Sequence, residues 1–111
     1  MSSTQWSKRE KEIARKAFNV AYNREQQAIL EDIRRRTSEV SDLVELWRLQ
    51  EYLTEKRIEI GEKYDYRYSV LDFFFARLIW EGWLQEEELE GLADEKLDEI
   101  RRNTLFLKGG D

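Results

Sequence analysis

Neither cysteine nor histidine occurs among the 111 residues. The first absence excludes disulfides, a thiolate nucleophile and Cys-ligated metal. The second removes the side chain most used as a general base near neutral pH, and the commonest metal ligand. Bond-making chemistry would have to run on carboxylates, Lys, Ser and Tyr, and no spacing of these residues signals it. No catalytic residue, metal ligand or cofactor is therefore assigned, and the chain is read as a non-enzyme. Proline is absent and there are five glycines, so nothing strong interrupts a helix before Gly61. No apolar run approaches the roughly eighteen residues that span a bilayer. The opening Met1-Ser2-Ser3-Thr4-Gln5-Trp6 lacks the basic start and apolar block of a secretory signal. The expected place is the cytoplasm, with any membrane attachment peripheral and through a partner.

What is present is charge and aromatic mass: 39% charged and 13% aromatic residues. A disordered chain would carry fewer aromatics and fewer apolar positions at regular spacing. The length suits one domain. It buries a modest core alone and a larger one by pairing with a copy of itself. The formal charge of −5 argues against nucleic-acid binding, which needs a surplus of cations on one surface. The charge is polarised. Residues 8–36 hold nine Lys or Arg against five acids, and residues 85–99 hold eight acids against one Lys. Such polarity can orient a partner or a second subunit, although most of these residues taken singly read as solvated helix faces.

Ser7-Lys8-Arg9-Glu10 is a capping-box pattern and opens a first helix. Ile13, Ala17, Phe18, Ala21, Tyr22, Ile29 and Ile33 follow at helical spacing. Arg34-Arg35-Arg36 suits the negative end of that helix, with an anion or partner site as the functional alternative. Ser41 or Asp42 caps a second helix running to about Gly61 or Lys63. On a helical wheel Leu46, Leu49, Leu53 and Ile60 form a narrow stripe, and Trp47, Gln50, Glu51, Thr54 and Arg57 an adjoining wedge of roughly 120°. Two such helices cannot cover each other's apolar stripes, so a second copy is expected to complete a four-helix arrangement. Val70 to Trp80 is apolar almost all round and reads as a helix buried on most sides, capped by Asp65 or Ser69 and stopped by Gly82. Phe73, Phe74 and Phe75 cannot all face one way, and Phe73 beside Asp72 is the one expected to approach the surface. Leu89, Leu92, Leu97 and Ile100 give a last helical element broken near Gly91-Leu92, and the residues after Arg102 read as a fraying tail, with Leu105-Phe106-Leu107 folding back onto the head as the alternative. The expected fold is all-α, one domain over 1–111. A long two-helix hairpin (about 7–63) dimerises, and a small helical head (about 64–104) follows.

The residues resemble the fluorescence recovery protein family of cyanobacteria over roughly 6–102. Trp6-Ser7, Ala17-Phe18, Ala21-Tyr22-x-Arg24-Glu25, Leu46-Trp47-x-Leu49, Phe75-Ala76, Glu81-Gly82 and Glu88-Leu89 carry the likeness. The most specific string is Lys56-Arg57-x-Glu59-Ile60-x-x-Lys63-Tyr64-Asp65-x-Arg67-x-Ser69-Val70. The resemblance implies a homodimer, joined at Leu46, Trp47, Leu49 and Leu53, that binds the photoactivated orange carotenoid protein through that protein's C-terminal domain. It implies faster return of the partner to its orange form, release from the phycobilisome and an end to non-photochemical quenching. It also implies work in the cytoplasm, at most peripherally at the cytoplasmic side of the thylakoid. The partner-binding residues it implies are Trp47, Gln50, Glu51, Arg57 and Phe73. Gln50 stands where the family has His and Glu51 where it has Asp. Gln keeps a hydrogen-bonding amide but cannot titrate, so the patch has no pH-sensitive role here. A basic residue late in the family's last helix corresponds to Glu99.

For Trp47 two roles stand side by side, packing against the second copy and gripping a partner; Trp and Arg most often dominate interface energetics. Glu51 and Arg57 are too far apart for an in-helix pair, so a cross-subunit ion pair is the plain reading. Glu86-Glu87-Glu88 reads as an acidic first turn before it reads as a metal cluster. Tyr64, Tyr66 and Tyr68 are either a contact strip or a short extended linker. The second function class is a helical homodimeric adaptor, a divergent relative serving an unrelated partner, since partner choice is not encoded in fold.

Overall fold

Ser7 and Glu10 form the expected capping box. The Ser7 amide donates to Glu10 Oε1 at 2.9 Å and the Glu10 amide to Ser7 Oγ at 3.1 Å. Two orphan donors are thereby satisfied where helix α1 (Lys8–Glu39) begins. Asp42 caps α2 (Leu43–Lys63), accepting from the Glu45 amide at 2.8 Å. Glu45 reaches back to the Ser41 amide and hydroxyl at 2.7 and 2.8 Å, so both candidate residues take part. The computed structural model describes residues 5–109. Among these the regular structure is completed by α3 (Leu71–Glu81), α4 (Asp94–Leu107) and 3-10 turns at Tyr68–Val70 and Glu86–Leu89. The all-helical expectation holds.

The described residues fall into two compact units. One joins the chain up to Arg24 with the chain from Tyr66 onward; the other is Glu25–Asp65. α1 passes from the first into the second.

Among the described residues, the first unit holds all the buried apolar ones. Trp6, Ala14, Ala17 and Ala21 pack with Leu71, Phe74, Phe75, Ala76, Leu78, Leu84, Leu89, Leu92 and Ile100. Small residues on α1 leave room for the bulky ones on α3. Phe74 and Phe75 are buried while Phe73 stays 45% exposed, the division that helical rotation forces on three successive residues. α3 ends at Gly82, whose φ of 90° lets its amide and that of Trp83 return to Ile79 and Leu78 (3.1 and 2.9 Å). Neither Asp65 nor Ser69 caps α3. The residue before it is Val70, with no side-chain cap, because the preceding 3-10 turn already supplies the entry. The break near Gly91 is real. Gly91 has φ 110°, and a Cβ there would lie 2.5 Å from Ile13 Cδ1, so only glycine lets this turn approach α1. Contrary to the expected tail, α4 continues regularly to Leu107, with Thr104 buried and bonded to the Ile100 carbonyl at 2.8 Å. Arg24 locks this unit through a two-pronged pair to Glu88 at 2.8 and 2.7 Å. The Glu86–Glu88 run thus serves as a turn tied down by arginines, Arg101 taking Glu86 at 2.6 Å. No group of acids among the described residues can hold a metal ion.

In the second unit Val40–Asp42 turn the chain so that α2 runs back along the end of α1. The Tyr52 hydroxyl donates to Asp32 Oδ2 at 3.0 Å. Hydrogen bonds from Arg36, Arg35 and Tyr52 hold the Asp32 carboxyl down at about 2. Lower on the hairpin, Lys63 and the Tyr64 hydroxyl both reach Glu25 Oε1 at 2.6 Å. Residues 64–67 form no helix. No helix of the described residues is long and apolar enough to cross a membrane.

Candidate partner-binding surface

α2 turns Tyr52, Lys56, Leu49, Ile60 and Lys63 toward α1, where they are half-buried or buried. That orientation follows from the spacing 49, 52, 56, 60, 63, one stripe of a helix. It leaves the opposite face open. Leu43, Val44, Leu46, Trp47, Leu53 and Ile58 are all exposed there, Trp47 by 56%. Between them lie Gln50, Glu51 and Arg57, each exposed. None of these three side chains makes an ion pair or hydrogen bond among the described residues. The four α2 residues singled out by sequence therefore share one open surface with Leu46 and Leu53, and Leu49 sits at its edge.

The burial in this unit is inverted. From Glu25 to Asp65 no apolar residue is buried; the buried residues are Glu25 and Lys63. A unit of roughly forty residues whose apolar side chains are at most half-buried gains little from burial within itself. Large apolar groups in water with this density mark an association surface.

Phe73 belongs to the other unit. On α3 it shares a face with Trp80, seven residues on and 48% exposed. Arg77 lies between them, paired to Glu81 at 2.9 Å. Trp80 was missed in the sequence because its segment reads apolar all round; the spacing from Phe73 was the available signal. The buried Glu25–Lys63 pair was missed too, and nothing in a separation of 38 residues announces it.

Beside Phe73, Asp72 Oδ1 is buried without a hydrogen-bond partner. Burial, then the Glu99 carboxylate, push the Asp72 carboxyl up to about 6; Glu10 adds to this and Lys96 opposes it. The sign follows directly. As pH falls through about 6 the folded chain takes up this proton before the unfolded chain, whose carboxyl waits until about 3.9. Asp72 thus adds stability on acidification from neutral pH toward 4. Thermal unfolding of Asp72→Asn is expected to show a melting temperature a few degrees higher at pH 7.5, with the rise between pH 7.5 and 5 reduced. An unchanged pH dependence would show that this carboxyl is not the group responsible.

The sequence profile described as photoprotection regulator fluorescence recovery protein matches residues 6–104. The chain belongs to the fluorescence recovery protein family. It is 41% identical over 96 residues to the fluorescence recovery protein of a Synechocystis strain, covering 86% of this chain and 88% of that protein. The solved structure of the Fremyella diplosiphon fluorescence recovery protein matches with TM-score 0.85 at 47% identity, over 90% of this chain and 98% of that one. The solved Synechocystis structure matches with TM-score 0.85 at 39% identity, over 89% and 97%. The resemblance read from the sequence is thereby established, and the fluorescence recovery protein family is described by regulation of photoprotection, not by a reaction. Its matched span ends at Thr104, so Leu105 and Phe106, both exposed at the end of α4, lie beyond it.

Proposed function

We propose that this member of the family works as a homodimer joined along α2, through Leu46, Trp47, Leu49 and Leu53, and binds the photoactivated orange carotenoid protein by its C-terminal domain. It accelerates that protein's return to the orange form. The partner then leaves the phycobilisome and non-photochemical quenching ends. The observation that carries this reading is the open apolar face of α2 on a unit with no apolar interior of its own, in a chain of a photoprotection-regulator family. A second α2 covers part of that face. The remainder, with Trp47, Gln50, Glu51 and Arg57, together with Phe73 on α3, is left for the partner.

The work is conformational and no covalent bond changes. The protein must bind the path toward the closed partner more tightly than the open starting form, because equal affinity for both shifts and accelerates nothing. Holding two partner domains in docking orientation lowers the entropy still to be lost at the barrier. With Gln50 in place of the family's His, contact through the α2 face loses the group that would titrate near neutrality. The protein acts in the cytoplasm and reaches the thylakoid surface only through its partner.

Titrating the purified protein into photoactivated carotenoid protein, and following the red-to-orange decay in the dark, tests the reading. A rate rising with protein concentration to a plateau is expected; an unchanged rate overturns it. Sedimentation should give twice the 13.5 kDa chain mass. Leu46→Glu with Leu53→Glu should reduce that to the single chain, since two charges buried at such a seam cost several kcal/mol, on the order of 3–5.

A further inference from the structure

Many cations among the described residues are matched by carboxylates. Arg24, Arg35, Arg36, Arg77, Arg101 and Arg102 all sit in ion pairs. The first turns of α1 are different. Lys8, Lys11, Arg15 and Lys16 share one open face of α1, and none of them joins an ion pair among the described residues. Asn19, Val20 and Asn23 continue that face, and Glu12 is its one acid. Glu10, the other acid of this stretch, is turned inward and used up on Lys96 and backbone amides. A strongly positive strip therefore stands on a chain of net charge −5.

Part of the strip is held in place. The Arg15 guanidinium lies over the Tyr66 ring at 3.7 Å and faces Phe18 at 5.4 Å. The Lys11 ammonium lies 5.4 Å from the Tyr68 ring. Rings fix these cations without neutralising them, so less side-chain entropy remains to be lost when an anion arrives.

We propose that the N-terminal half of α1 is a docking surface, separate from α2, for a carboxylate-bearing helix of a partner protein. Lys8, Lys11 and Arg15 repeat at three and four residues, so an acidic helix laid alongside, with carboxylates at the same spacing, meets them in register. The face from residue 8 to residue 23 is roughly 22 Å long, about four turns of such a helix. The Asn19 and Asn23 amides extend the polar contact at one end. A lipid surface fits less well. A helix that lies on a membrane inserts an apolar face, and here the apolar face of α1, Ala14, Ala17 and Ala21, is buried in the unit's own core. The proposal does not depend on the α2 surface, and its failure would leave the outcome of the recovery assay untouched.

The test uses a fluorescein-labelled helical peptide of about twenty residues with Glu at alternating three- and four-residue spacing, read by anisotropy at low and high salt. The full-length protein should bind it, and salt should weaken binding. The triple variant Lys8→Glu, Lys11→Glu, Lys16→Glu should weaken binding roughly tenfold or more. A control with the same change in net charge, Arg34→Glu, Arg48→Glu, Lys108→Glu, should weaken it by no more than about twofold. Circular dichroism checks the fold of both, and the Gln triple variant at the same three lysines replaces the Glu one if that fails to fold. The proposal is overturned if the peptide does not bind, or if both triple variants weaken binding alike. It is equally overturned if vesicles rich in phosphatidylglycerol sediment the protein while the peptide leaves it free.

Discussion

Trp47→Ala is expected to remove most of the acceleration of carotenoid-protein recovery while leaving the helical content unchanged. The side chain is 56% exposed, so its removal opens no enclosed cavity in the chain. What it removes is an indole on an open apolar face. Truncating such an anchor at the centre of an interface costs about 2 kcal/mol or more, roughly thirtyfold in affinity. The two roles of Trp47 separate in one further measurement. If the variant sediments as a dimer and accelerates poorly, the indole grips the partner. If it sediments as a single chain, the indole holds the two copies together. Arg57→Lys refines the answer, because the lysine keeps the charge and loses the planar fork. A recovery rate equal to that of the unaltered protein would take Trp47 out of the contact altogether.

The helices were legible in the sequence wherever a local rule fixes them. The Ser7–Glu10 box, the acidic cap of α2, the Gly82 stop and the break at Gly91 all depend on residues within a few positions of one another. Phe73 as the exposed member of its triplet follows from the same rotation argument. The surface on α2 was visible as a wedge beside a leucine stripe, because an apolar stripe that packs on one neighbour does not need Trp47, Gln50, Glu51 and Arg57 beside it. Long-range polar matches were illegible. Glu10 read only as a helix cap, yet it also takes up Lys96 and the Ala93 amide, 86 and 83 residues away. The fate of α4 after Arg102 was misread because the apolar residues there, Leu105, Phe106 and Leu107, are consecutive and mark no single helix face. The buried Thr104, one turn beyond Ile100, is what keeps that turn ordered.

That hidden role makes Glu10 the position where a single substitution should damage stability most. Its carboxylate accepts from the Ser7 amide at 2.9 Å, the Ala93 amide at 2.9 Å and the Lys96 ammonium at 3.3 Å. Both side chains are nearly sealed from water, Glu10 at 10% and Lys96 at 3% exposure. Burial works to raise the Glu10 carboxyl, but the Ser7 and Ala93 amides and Lys96 outweigh it and leave it below the usual value of 4.5. Glu10→Ala removes the countercharge of a buried ammonium and the acceptor of two backbone amides at once. The expected cost is about 3–5 kcal/mol, enough to lower the melting temperature of a chain this size by more than roughly 10 °C. Adding Lys96→Met should recover part of that loss, because the stranded charge is then gone while the two amides remain unpaired. The pH dependence runs opposite to that of Asp72. A carboxyl held low contributes stability above its unfolded value and loses it as pH falls through its folded one. The gap between Glu10→Ala and the unaltered protein should therefore be widest above about pH 5 and narrow on further acidification. Denaturant unfolding of the two single variants and the double, at neutral pH and at pH 4, decides the matter. A Glu10→Ala variant within about 1 kcal/mol of the unaltered chain, or losses that simply add, would mean that Glu10 and Lys96 are not coupled across the core.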